Sequence, residues 1–115
     1  MKPLKLKHQR PEDKVQESII KMLRYKSWYV KKIHGNMYQS GLPDLLCCHR
    51  TYGLRFVEVK LPNMKGSKFT EAQLYEFPLL QANGCAIWVL TGDAESEYAK
   101  LFKPGNWWQY LEVAK

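Results

Sequence analysis

Several common classes are excluded by what this chain lacks. No run of 18 apolar residues is present, so no segment reads as a membrane-spanning helix. The start, Met1-Lys2-Pro3-Leu4-Lys5-Leu6-Lys7-His8, is basic but has no apolar core of the kind a secretory signal needs. Cysteine is sparse and odd in number. Cys47, Cys48 and Cys85 cannot all pair, and no Cys/His pairs stand at zinc-ligand spacing. They read as buried free thiols in a reducing compartment, the cytoplasm. No internal repeat or linker interrupts the chain. Acidic residues are in deficit, 11 against 18 Lys and Arg, for a net charge of +7. Such a surplus attracts polyanions, although it also occurs on small domains that merely stay soluble.

What is present is enough to fold. The 115 residues are 45% hydrophobic and include four Trp, seven Tyr and four Phe, which suits one domain with a modest core. Residues 1–10 read as a basic tail and 11–115 as a single domain. Pro11, Glu12 and Asp13 suit a helix start, and Val15, Ile19, Met22 and Leu23 recur at helical spacing, predicting a helix from Pro11 to Tyr25. Strands are predicted over 27–33, 44–49 and 54–61, the last two joined by a tight turn at Tyr52-Gly53. Thr70-Glu71-Ala72-Gln73 opens a second helix with a capping-box pattern, running to about Asn83 with Gly84 as its stop. Pro78 predicts a kink or break in it. An apolar strand over 85–91 follows, then a short helix over 94–102, while 107–113 has no clear type. The order α-β-β-β-α-β indicates an α/β fold, a mixed four-stranded sheet flanked by helices.

The chemistry concentrates in two places. Glu58 and Lys60 stand two apart in an apolar run, so on a strand they share a face. Asp44 follows the rigid turn Gly41-Leu42-Pro43 and opens the neighbouring strand. Strands lie about 4.8 Å apart, so Asp44 and Glu58 can share a divalent ion, with waters and a backbone carbonyl completing its shell. Lys60 would orient a water or stabilise developing charge. A strand with only Glu58 and Lys60 would read as a solvated face; Asp44 behind its turn reverses that balance.

Gly-x-Pro-Asp, Glu-x-Lys fourteen residues on, and Thr-x-x-Gln opening a helix together resemble the VRR-NUC family of the PD-(D/E)XK nuclease superfamily, especially its small stand-alone phage versions. The resemblance covers roughly residues 12–90. It implies a restriction-endonuclease-like core, Mg2+ or Mn2+ as cofactor, and phosphodiester hydrolysis in DNA. It implies Asp44, Glu58 and the Val59 backbone carbonyl as metal ligands, with Lys60 catalytic. It also places Gln73, which by itself reads equally as a capping residue, at the site. The family's first-helix glutamate followed four residues later by glutamine fits Glu12 and Gln16. Both fall on the apolar face of the first helix, and Glu17 falls nearly opposite. Stand-alone relatives imply a homodimeric Holliday junction resolvase acting on four-way junctions, and the host cytoplasm if the chain is phage-encoded. Lys31, Lys32, Lys65 and Lys68 read as the DNA path, His34 as a strand-end or phosphate contact, and Trp107-Trp108 as core or interface.

Overall fold

The computed structural model describes residues 10–33, 40–64 and 68–111. Helix α1 spans Pro11–Tyr25, the predicted bounds. Pro11 takes the first position, where its missing N–H has no intrahelical acceptor to satisfy. Asp13 Oδ2 accepts the Arg10 N–H at 3.1 Å, which ties off one end group. The helix ends on Ser27, whose φ of 74° is left-handed. There the Ser27 N–H reaches the Arg24 carbonyl and the Trp28 N–H the Leu23 carbonyl, each at 3.0 Å. This turn consumes the first two residues of the strand predicted over 27–33, so β1 is confined to Tyr29–Lys32.

Strand β2 (Leu45–His49) pairs antiparallel with β1 and with β3 (Gly53–Val59). His49 stands opposite Gly53, leaving a three-residue hairpin loop. Gly53 supplies the left-handed backbone (φ 85°) that closes it. Helix α2 (Glu71–Ala82) carries the chain across to β4 (Ile87–Leu90), which pairs parallel with β3. The sheet order is β1-β2-β3-β4. Thr70 Oγ1 accepts the Gln73 N–H at 3.1 Å and Gln73 Oε1 accepts the Thr70 N–H at 3.0 Å, a complete capping box. Helix α2 does not break at Pro78, which lies on its exposed face, where water can take the carbonyl that proline leaves unbonded. Helix α3 (Glu95–Ala99) and 3₁₀ turns at Lys100–Phe102 and Trp107–Tyr110 complete the described chain.

Two cores divide the sheet. Ile19, Ile20 and Leu23 of α1 pack with Val30, Leu45, Cys47, Val57, Val59 and Leu90 on one face. Phe77 of α2 packs with Met64, Phe69, Ile87, Val89 and Trp107 on the other. Trp107 is therefore core, as read, whereas Trp108 is 51% exposed. The outer edge of β4 is sealed by one residue. Asn106 donates its N–H to the Ile87 carbonyl and its side-chain oxygen accepts the Val89 N–H at 2.6 Å. Its Nδ2 also reaches the Val89 carbonyl at 3.4 Å. No helix among the described residues is long and apolar enough to cross a membrane.

Candidate active site at the end of the sheet

Strand β3 alternates across the sheet, so Val57 and Val59 enter the α1 core while Glu58 and Lys60 turn to the α2 side. Both charged residues are buried, at 1% and 3% exposure. Extending the pairing of Leu45 with Val57 by one residue sets Asp44 opposite Glu58, on the same face. Asp44 is held in turn by the Val59 N–H, which donates to Oδ2 at 2.8 Å. In an extended strand the N–H and C=O of one residue project to the same edge, so the Val59 carbonyl lies on the Asp44 side.

The ammonium of Lys60 lies 3.2 Å from Glu58 Oε2 and donates to Gln73 Oε1 at 3.2 Å and to the Lys68 carbonyl at 3.0 Å. Gln73 donates from Nε2 to Glu58 Oε2 at 2.7 Å, so its amide bridges acid and base. The same amide closes the capping box, and the two readings of Gln73 are one geometry. Gly41 sets the approach of Asp44: its φ is 88°, and a Cβ there would stand 2.7 Å from the Ala72 carbonyl oxygen of α2.

Burial pushes the Glu58 carboxyl up to about 8, helped by the negative charge of Asp44 and opposed by Lys60 and Gln73. Asp44 is raised too, by burial and then by the charge of Glu12, while the Val59 N–H and Lys60 act the other way. The pair is thus short of positive charge. Glu58 Oε1 is buried with no hydrogen-bond partner among the described residues. Two hard carboxylates, one of them with an orphaned buried oxygen, and a carbonyl on the same side are a donor set that fits a Mg2+- or Mn2+-class ion. Among the described residues no three His, Cys, Asp or Glu side chains form a metal cluster, so such an ion would rely on backbone and water for its other ligands.

The residues picked from sequence separate into three groups. Asp44, Glu58, Lys60 and Gln73 converge. Glu12 is half-buried on α1 and acts electrostatically on Asp44; Gln16 is half-buried one turn on. Glu17 instead pairs with Lys32 at 2.9 Å on the surface. Lys31, Lys32 and Lys68 are exposed, while His34 and Lys65 lie outside the described residues. Sequence reading missed Phe69, whose ring lies 4.9 Å from Lys60 Nζ, and the carbonyl of Lys68. Their position just before the Thr-x-x-Gln cap was the available signal.

This architecture, with acidic residues and a lysine at the end of a mixed four-stranded sheet between helices, defines a restriction-endonuclease-like core. Among solved structures the chain is similar to a VRR_NUC domain, at 27% sequence identity and a TM-score of 0.62, over 79% of this chain and 92% of that one. That likeness supports the resemblance to the VRR-NUC family. No protein-family model and no curated protein sequence matches the chain.

Proposed function

We propose that this chain is a metal-dependent, structure-selective DNA endonuclease that works as a homodimeric Holliday junction resolvase. The observation that carries the reading is the half-buried Asp44 opposite the buried Glu58, whose Oε1 has no hydrogen-bond partner among the described residues, beside the equally buried Lys60. Mg2+ or Mn2+ held by Asp44, Glu58 and the Val59 carbonyl would supply an activated water and neutralise charge on the scissile phosphate. Lys60 would donate a hydrogen bond to that water or to a phosphate oxygen. Gln73 donates to the Glu58 carboxylate, Glu12 acts on Asp44 through its charge, and Gln16, one turn on, would join Glu12 at the site. Lys31, Lys32, Lys65 and Lys68 would meet the DNA backbone, where a +7 chain gains from counterion release.

Two symmetric nicks need two sites, which a two-fold dimer supplies. Exposed apolar surface supports pairing: α2 turns Leu74, Tyr75 and Leu79 outward, and Tyr29 and Leu54 stand exposed on β1 and β3. Free thiols fit a reducing cytoplasm.

The test is a labelled four-way junction incubated with and without Mg2+ or Mn2+, beside Lys60→Ala and Asp44→Ala. Symmetric metal-dependent nicks, reduced about 100-fold or more in both variants, are expected. Cleavage of a 5′ flap but not of the junction would replace resolution by a monomeric flap or nicking activity. Binding without cleavage under any metal would leave a non-catalytic DNA-binding module.

A further inference from the structure

We infer that Phe69 is the positioning residue of Lys60: its ring face fixes where the ammonium stands. The inference rests on the nuclease reading for its consequence in catalysis, and on geometry alone for the contact. Lys60 Nζ lies 4.9 Å from the centre of the Phe69 ring, within cation–π range. The lysine is buried, so the attraction is little screened by water.

Two of the three polar neighbours of Nζ are shared. Glu58 Oε2 also accepts from Gln73 Nε2, and Gln73 Oε1 also accepts from the Thr70 N–H. The ring adds a contact that takes part in none of these shared hydrogen bonds. The ring is itself fixed, meeting Phe77 and Trp107 edge to face at centroid distances of 5.9 and 6.0 Å. Three consecutive residues thus brace one site: Lys68 by its carbonyl, Phe69 by its ring, and Thr70 by its N–H to Gln73.

Packing and electrostatics are separated by replacing Phe69 with 4-fluoro-, 3,5-difluoro- and 3,4,5-trifluorophenylalanine. The shape is nearly constant while the negative ring face is progressively withdrawn. The expected result is a stepwise fall in kcat with each fluorine, at unchanged KM and thermal midpoint. Phe69→Leu, which keeps an apolar side chain without the ring, should lose about 3- to 30-fold in kcat. A kcat that stays flat along the fluorine series overturns the inference. An arm independent of activity is the NMR signal of the Lys60 Hε protons. Ring current should place it upfield of ordinary lysine and release it in Phe69→Leu. An unshifted signal in the wild-type protein overturns the contact itself. If the wild-type protein cleaves no DNA, the nuclease reading fails while the NMR arm still decides whether the ring holds the lysine.

Discussion

Glu58 bears a strain that its neighbours do not remove. The folded protein keeps a proton on it up to about pH 8, whereas the unfolded chain releases it near the ordinary value of 4.5. The unfolded state therefore binds fewer protons between these limits, and stability falls as pH rises from 4.5 towards 8. Glu58→Gln mimics the neutral form. It should melt higher than the wild-type protein, by a margin that widens between pH 5 and pH 8, while losing cleavage. Thermal melts at the two pH values check this, and a margin that narrows with pH would contradict it. Added Mg2+ should stabilise the wild-type protein more at pH 8 than at pH 5, because the ion competes with that proton. Cys47 gives a simpler case. Burial pushes its thiol up to about 12, so it stays protonated and unreactive. Alkylation at pH 8 followed by mass mapping should leave Cys47 unmodified in the native protein and modify it once the chain is denatured.

Elements depend on a few positions where backbone shape is dictated. Gly41 and Gly53 both have left-handed backbones, but only Gly41 faces a wall: a Cβ on Gly53 meets nothing within 4 Å. Gly53→Ala should cost about 1 kcal/mol and leave cleavage intact. Gly41→Ala should cost more and also displace Asp44, lowering kcat; equal effects of the two changes in melts and assays would refute the distinction. The same comparison shows what a sequence can disclose. The bounds of α1, the cap of α2 and the hairpin glycine were legible because their causes are local. Asp44, Glu58 and Lys60 were legible because strand period and spacing place them together. Ser27 was not, because a serine rarely takes the left-handed position that ends α1. Phe69 and Asn106 act on residues that only the folded chain brings near, Lys60 and Val89. The continuity of α2 through Pro78 was equally hidden, since it rests on packing of Phe77 beneath the helix.

At the scale of the whole molecule, basic charge is kept off helix α2, which exposes Leu74, Tyr75 and Leu79. Helix α2 contains Glu71 and Glu76 but no lysine or arginine, in a chain with 18 of them. If α2 pairs two copies, Tyr75→Glu with Leu79→Glu should halve the mass seen by light scattering. A wild-type mass already that of one chain would remove the dimer. For DNA, Lys31→Ala should lower the slope of log affinity against log salt by about one. Lys32→Ala should lower it less, because Lys32 is already engaged with Glu17. Equal slopes in the two variants would contradict that assignment.

The sealing of β4 by Asn106 has a further effect. A sheet with one capped end is, in the language of polymers, monofunctional: it can propagate only through β1, and there only once Arg24 gives up the Val30 carbonyl it holds at 3.0 Å. Two copies that met along that strand would terminate one another, so growth would stop at a closed pair and never run on into a fibre.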